Sequence, residues 1–533
     1  MPNSRISHTS ALYVAALVVL SAIYYSAYVG SGFNYADDGN YAQVCYELLM
    51  GRDIHDIVLS YGATWFKFGE GLFRLFGVHF IAVRALFFVC LTLTTLLVYA
   101  AIAMGTGSKN VALLMASVIL LVPPFPATAF YGLGVMINVA AQMRLATRLL
   151  HPGRWDAALA GAALAGSFLL RPDFGYAFTL PLLALIFLAP RTQWRFLVLN
   201  AVLGFAAVQA LAFLGGLAGG YADVLMRQYL EYPALLTGYV VGGFYRIMGQ
   251  EQATVAATVL GRPGRHALLR GDTAGLALLI YFPVLVVAAF TIITIAAWFR
   301  KQRTVIPVFL VALFAAIATL PHYFFFRPDL SHVANFMPGY VVLAAVIITA
   351  AIHLYATPNR VKRIAAAVVA GALMGHLGVY LGLGLNSDAT GAIGTSGERT
   401  ETFESVNGVD ARVTAAEKTH LAALQDAVVN HSQPGDNIIC YPYCPGVAFM
   451  TGRRLLLHNF FADDGTPLRE PGWIDMAIAR TRAAKPPVVI IMDWAVNGTD
   501  RSRFDVWAAP YVAALKEMAR DQVVMPGITI YFL

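Results

Sequence analysis

The sequence predicts a mainly α, polytopic membrane protein that carries a small C-terminal α/β domain. Three observations predict it. The 533 residues are 58% hydrophobic and only 13% charged, whereas soluble domains run closer to half apolar and a quarter charged. Apolar runs of membrane-spanning length recur as far as Leu385 and stop there. The charge divides at the same place: residues 1–385 hold 24 Lys and Arg against 13 Asp and Glu, and residues 386–533 hold 13 against 17. This pattern excludes a cytosolic enzyme, a disordered chain and a disulfide-framework domain. The net +7 divides too unevenly for a nucleic-acid surface, and no nucleic-acid partner is expected.

A spanning helix needs about 20 mostly apolar residues. Eleven segments qualify or come close: 11–29, 84–104, 110–123, 127–147, 156–170, 174–189, 196–217, 275–298, 304–321, 337–356 and 364–385. The first reads as a retained anchor rather than a cleaved signal. With the N-terminus inside, every second loop is basic. Those loops carry Arg5; Lys109; Arg144, Arg148 and Arg154; Arg191 and Arg195; Arg300, Lys301 and Arg303; and Arg360, Lys362 and Arg363. Such a bias marks the cytoplasmic side. Of the acids before residue 386, only Asp156 falls on that side. An odd number of spans then places the C-terminal domain outside. The expected division is a membrane domain 1–385, with outer segments 30–83, 218–274 and 322–336, followed by an extracytoplasmic domain 386–533.

Residues 386–409 are rich in Gly, Ser, Thr and Glu and read as a linker. Helical spacing follows at 410–431, 472–484 and 503–520. Strand-like runs cover Asn437 to Tyr441, Arg454 to His458, Val488 to Met492 and Ile528 to Phe532. Four cysteines show no zinc spacing. Cys440 and Cys444 are close enough for a disulfide if the domain is extracytoplasmic, and two free thiols fit the sequence equally well.

The first outer segment concentrates the chemistry. Asp37 and Asp38 follow directly after the first span. Carboxylates at a bilayer edge are costly unless paired, metal-bound or facing water. Adjacent acids also raise one another's pKa, which suits a general base. The plain alternative has Asp38 capping a helix that starts near Gly39; it accounts for one acid and not for both. A helical stripe over 41–50 follows, closed by Gly51. A second amphipathic stretch covers 64–77, with Trp65, Phe66, Phe68, Leu72, Phe73 and Phe76 among Lys67, Glu70 and Arg74.

From Tyr35 through Tyr99 the chain resembles the GT-C glycosyltransferases, specifically bacterial relatives of protein O-mannosyltransferases and lipid A aminoarabinose transferases. The residues that carry the resemblance are Asp37-Asp38, Leu48-Leu49-Met50-Gly51, Asp56, Tyr61-Gly62-Ala63, Leu72-Phe73-Arg74-Leu75-Phe76-Gly77 and Arg84. It continues at Leu170-Arg171-Pro172-Asp173 and at Arg327-Pro328-Asp329-Leu330-Ser331-His332. The resemblance implies that Asp37 is the catalytic base, that Asp38 stands where a Glu is usual, and that Asp56 is the second loop acid. It puts Arg327 and His332 near the donor phosphate. Arg171 and Arg246, also on the expected outer side, are further candidates for the phosphate, and Tyr61 and Asp329 are candidates for substrate binding. The acidic-Lys-Pro-Pro segment of the aminoarabinose branch is missing, since Ser60-Tyr61-Gly62-Ala63 stands there. That argues against aminoarabinose as the sugar and against assuming that branch's metal. No cofactor is implied with certainty; a divalent ion, if used, falls to Asp37 and Asp38.

The implied function is transfer of a sugar from a polyprenyl-phosphate donor to a lipid, glycan or protein acceptor on the outer face of a bacterial inner membrane. The route is a single inverting displacement. The departing phosphate needs Arg, Lys or a metal, and Arg327 is the first choice because Arg grips phosphate in two places. Membrane lipids are the remaining expected partners. Plain readings compete with each assignment. Arg171 and Asp173 can form an ion pair across a turn, His322 and His332 can be loop residues, and Phe324 to Phe326 can form an interfacial belt. At the level of the whole chain, the alternatives are a transporter or flippase of lipid-linked saccharides, or an O-antigen ligase or polymerase. A transporter usually shows internal repeats and mid-membrane charges, and the sequence shows neither.

Overall fold

A computed structural model of the chain describes residues 8–59, 61–230, 271–302, 304–326, 330–386, 397–496 and 500–533. Helices stand at all eleven expected spans. They are α1 (His8–Ser26), α4 (Phe80–Thr106), α5 (Lys109–Leu121), α6 (Ala129–Thr147), α7 (Arg154–Leu170), α8 (Pro172–Leu188), α9 (Trp194–Ala218), α10 (Gly271–Phe299), α11 (Ile306–Ile317), α12 (Leu330–Tyr355) and α13 (Arg360–Gly384). Between α1 and α4 lie α2 (Asp37–Leu49) and α3 (Ala63–Phe76). Seven of the described helices are long and apolar enough to cross a membrane, and α5 and α8 are shorter apolar helices.

The chain forms two compact units. One comprises Met1–Tyr28 with Phe87–Thr395, and the other Val29–Leu86 with Ser396–Leu533. The expected boundary at residue 385 assigned the first outer segment to the membrane domain. In the structure that segment packs with the C-terminal residues instead, through contacts described below.

In the membrane unit, small residues let helices approach closely, as is usual where both helices and their lipid surroundings are apolar. A Cβ on Gly161 of α7 would lie 1.9 Å from the Ala201 carbonyl oxygen of α9, and one on Gly204 would lie 2.0 Å from that of Ala158. The pair α11 and α12 repeats the device, with Gly339 set against the Ala315 carbonyl at 2.0 Å. Asp156, the single acid expected on the basic side, is buried and neutralised there. Arg144 Nε lies 2.6 Å and Arg148 Nη1 3.5 Å from its Oδ1. The expected outer segment 322–336 is largely helical. A π-helical turn spans His322–Phe326, and α12 begins at Leu330, seven residues before the expected start. The polar run looked like a loop, but Asn335 is buried and accepts a hydrogen bond from Thr128 Oγ1 at 2.9 Å. A satisfied polar side chain can remain inside a helix bundle.

The second unit centres on a five-stranded sheet. Its strands are β3 (Asn437–Tyr441), β4 (Arg454–Leu455), β5 (Val488–Met492), β6 (Asp521–Met525) and β7 (Ile528–Phe532), in the order β4-β3-β5-β7-β6. The β4-β3-β5 part is parallel, β7 runs antiparallel to β5, and β6 runs antiparallel to β7. Helices α14 (Ala415–Val429), α15 (Pro445–Thr451), α16 (Trp473–Ala484) and α17 (Ala509–Met518) accompany the sheet. Trp473, Phe504 and Tyr511 pack with Ile439, Val489 and Ile491 in one apolar core. The expected helix at 410–431 yields its first turn to a hairpin, β1 (Glu401–Glu404) with β2 (Asp410–Val413). The helix starts only after Thr414, whose hydroxyl and Glu417 form a capping box.

The first outer segment joins this unit along its whole length. Arg412 N–H donates to the Gly30 carbonyl at 2.6 Å, and Gly32 N–H to the Arg412 carbonyl at 2.7 Å. Phe80 N–H donates to the Gly408 carbonyl at 2.8 Å and Val58 N–H to that of His458 at 3.0 Å. The centre of the contact is Glu47 of α2, whose side chain is fully buried. It accepts from Leu455 N–H of β4 at 2.7 Å and from Gln43 Nε2 at 3.0 Å, and it pairs with Arg454 Nε at 3.0 Å and Arg52 Nη1 at 3.5 Å. Arg52 continues the network by donating to the Leu455 carbonyl at 2.5 Å.

Breaking one side of a buried charge pair costs about 3–5 kcal/mol, because the other charge is left without compensation. Glu47→Gln is therefore expected to lower the melting temperature and to open Arg52–Val58 to proteolysis well before the membrane helices are cut. Limited proteolysis of detergent-solubilised protein measures this; an unchanged digestion pattern would show that Glu47 does not hold the segment.

Candidate active site

The acid pair opens α2. Asn34 makes this start possible: its Oδ1 accepts from Ala36 N–H at 2.8 Å and Asp37 N–H at 3.3 Å, and its carbonyl accepts from Gly39 N–H at 2.8 Å. Asn34 therefore does the capping work the sequence reading considered for Asp38. The helix begins at Asp37 rather than near Gly39, and both acids lie in its first turn. Negative charge is favourable there, since the first amides of a helix are unsatisfied and point toward it.

The two carboxylates have different surroundings. Asp38 is buried, and its Oδ2 takes a 2.8 Å charge-assisted bond from Arg84 Nη2. Arg84 is buried as well. It donates to the Ser31 carbonyl at 2.6 Å and stacks over the Phe80 ring at 4.8 Å from its centroid. The sequence reading noted Arg84 only as the residue opening the second span. An arginine on the acidic side of an apolar run was the available sign that it had a partner. Asp38 is thus a buried carboxylate paired with a buried counter-charge. Asp37 is half-buried, and its Oδ1 lies 3.2 Å from the Tyr443 hydroxyl.

Tyr443 was not singled out by sequence reasoning. It lies between Cys440 and Cys444, which form a disulfide with a Cα separation of 5.5 Å, so the pairing left open by the sequence exists. Cys444 is the N-cap residue of α15. That helix meets the start of α2 at two glycines. A Cβ on Gly39 would lie 2.4 Å from Gly446 Cα, and one on Gly446 would lie 2.6 Å from Tyr35 Cα. Gly446 N–H also donates to the Tyr35 carbonyl at 2.8 Å. This close crossing brings Tyr443 to Asp37.

The other expected residues of this unit lie further along the segment. Asp56 is exposed at the end of a short 3-10 turn, Ile54–Asp56, and its carbonyl accepts from Arg52 Nη2 at 3.3 Å. Tyr61 is half-buried and stacks on Phe66, ring centroids 6.1 Å apart.

In the membrane unit, Arg171 and His332 belong to one cluster. Arg171 is buried at the junction of α7 and α8. It binds both oxygens of Asp173 through Nε, at 2.9 and 3.1 Å. Its guanidinium lies 4.0 Å from the Tyr131 ring centroid and 5.1 Å from that of Phe174. Tyr131 packs edge-on to His322 at 5.2 Å, and His322 stacks on His332 at 5.4 Å. The ion pair with Asp173 and the cluster are both present, so one reading does not displace the other. Arg246, Arg327 and Asp329 lie outside the described residues. Among the described residues no three His, Cys, Asp or Glu side chains are placed to hold a metal ion. With Asp38 already paired to Arg84, the acid pair does not fit a divalent cation, and no step is derived through one.

Arg84→Met leaves Asp38 buried without a counter-charge and is expected to cost about 3–5 kcal/mol of stability. Adding Asp38→Leu should recover most of that loss. Thermal unfolding of the two variants measures it, and equal destabilisation by both would refute the pairing.

No protein-family model matches the chain, and no curated protein matches it in sequence. Among solved structures, a crystal structure of ArnT from Cupriavidus metallidurans bound to undecaprenyl phosphate matches it with a TM-score of 0.52 and 14% identity. The match covers 99% of this chain and 98% of that one, so the likeness first seen between Tyr35 and Tyr99 extends, as a fold, over the full length. The chain therefore has the fold of that ArnT structure.

Proposed function

We propose that the protein is an inverting glycosyltransferase. It moves a sugar from a polyprenyl-phosphate donor to a lipid, glycan or protein acceptor on the outer face of a bacterial inner membrane. The observation that carries this reading is the asymmetry of the acid pair at the start of α2. One carboxylate is neutralised by Arg84 and buried, while the other is half-buried and meets a phenol. In a chain with this fold, such a residue suits a general base. The alternation of basic loops supports a cytoplasmic N-terminus and a periplasmic C-terminal domain.

Asp37 takes the proton of the acceptor hydroxyl as its oxygen attacks the anomeric carbon. The carbon–oxygen bond to phosphate breaks with its electron pair, and polyprenyl phosphate leaves as an anion. Configuration inverts because attack and departure occur on opposite faces. Asp38, held by Arg84, keeps α2 in place beside the reacting groups. Asp56 and Tyr61 serve the sugar and acceptor side. Arg171, with Arg327, Arg246 and His332, serves the lipid phosphate. Arg171 is pre-oriented for this by Asp173 and Tyr131, and preorganised donors stabilise developing charge without rearranging.

Asp37→Asn is the direct test. General-base catalysis contributes about 10²–10⁴-fold, and a loss of that size is expected in proteoliposomes given polyprenyl-phosphate sugars, at unchanged expression and melting temperature. Full activity would remove the base assignment. For the phosphate side, Arg171→Lys keeps the charge but loses the planar fork. It should raise the KM for the lipid donor about tenfold and leave the KM for the acceptor alone; a change confined to the acceptor would move Arg171 out of the donor site.

A further inference from the structure

We infer that the C-terminal domain supplies a positioning residue to the reaction: Tyr443 holds the carboxylate of Asp37 in the orientation from which it accepts the acceptor's proton. This rests on the assignment of Asp37 as the base.

The hydroxyl of Tyr443 lies 3.2 Å from Asp37 Oδ1. One carboxylate oxygen is thereby engaged, which limits rotation about the terminal bond and sets the direction of the other oxygen. The phenol is itself restrained from several sides. Its ring packs edge-on to Phe461 at 5.0 Å and parallel to Trp494 at 6.4 Å. The disulfide closes the backbone around it, from Cys440 at the end of β3 to Cys444 at the start of α15. On one flank, Tyr441 donates from its hydroxyl to the Asn459 carbonyl at 2.9 Å, and Ala462 N–H donates to the Pro442 carbonyl at 3.0 Å. On the other, Gly446 lies against Gly39 with no room for a side chain on either. The glycine crossing sets the distance between the Tyr443 loop and the first turn of α2, and the other contacts hold the loop and its phenol in place. Together they define the orientation of one hydroxyl–carboxylate contact.

Misplacement of a reacting group by about 1 Å can cost about 10²-fold in rate. Tyr443→Phe keeps the ring and removes only the hydroxyl. The expected result is a 10- to 100-fold fall in kcat, with the KM of donor and acceptor within twofold of the parent and an unchanged melting temperature. The same substitution made on Asp37→Asn should cost nothing further in the residual rate, because the oriented carboxylate is already gone. A merely structural tyrosine would lower both backgrounds alike. Wild-type kcat in Tyr443→Phe, or an equal loss in both backgrounds, overturns the inference. Should Tyr443→Phe fail to fold, 3-fluorotyrosine at position 443 keeps ring and hydroxyl in place while strengthening the donor. It must then change kcat and not KM, and an unchanged kcat counts against the proposal. If Asp37→Asn is itself fully active, the base assignment fails and this inference with it. If Asp37→Asn is inactive and Tyr443→Phe is wild type, only the inference about Tyr443 fails.

Discussion

The placement of α2 depends on one buried carboxylate. Glu47 has no exposed side-chain surface, and an ionised carboxylate in such a place is several kcal/mol unfavourable unless its oxygens are fully engaged. They are engaged by two arginines, an amide side chain and the backbone N–H of an edge strand. Two of those partners, Arg454 and Leu455, come from β4 and two from the helix and its exit. Burial and pairing therefore require each other: α2 can bury this face only where the strand meets it. The register of α2 against β4 then decides where its first turn lies, and with it the crossing at Gly39 and Gly446.

From that placement the two acids acquire unlike surroundings without any difference in residue type. Consecutive residues on an α-helix point about 100° apart, so neighbours in sequence need not share an environment. One direction leads to Arg84 and the interior, the other to Tyr443 and a half-buried edge. Like charges on adjacent residues repel, and the structure relieves this by giving one of them a full counter-charge. The other carboxylate, that of Asp37, meets a neutral donor, the Tyr443 hydroxyl, at 3.2 Å.

Much of this fold was legible in the sequence. The spans were, because apolar length and loop charge are local properties and survive any tertiary arrangement. The strands Asn437–Tyr441 and Val488–Met492 were legible too, since a fully buried strand reads as a continuous apolar run. β6 was missed: Asp521–Met525 is mostly exposed, and only its partner β7 makes it a strand. The acid pair was visible, but its division was not, because Arg84 lies 46 residues from Asp38. Glu47 looked like an ordinary polar position on an amphipathic helix. Nothing within its own segment says that an arginine 407 residues away will reach it. Tyr443 was hidden for the same reason, although its place between two cysteines gave some warning of a restrained loop. Arg171 and His332 were named from their motifs, but their meeting in one cluster through Tyr131 and His322 was not legible, because those ring contacts join residues far apart in sequence.

The composition of the second unit from Val29–Leu86 and Ser396–Leu533 has a consequence for how the protein is made. The two stretches are separated by a long insertion of membrane helices, and ribosomes add about 5–20 residues per second. The early stretch therefore emerges and waits on the order of 15–60 s before its partners exist. During that wait Glu47 has no Arg454, and Tyr46 of α2 and Phe73 of α3 lack Phe449 of α15, on which both pack. The membrane surface is the nearest apolar shelter, and α3, with aromatic residues on one side and Lys67, Glu70 and Arg74 among them, is suited to rest there. Assembly is then a late event, completed only when the last part of the chain reaches the same side of the membrane, and a chain truncated before β4 would keep its helices but never gather its acid pair into a site.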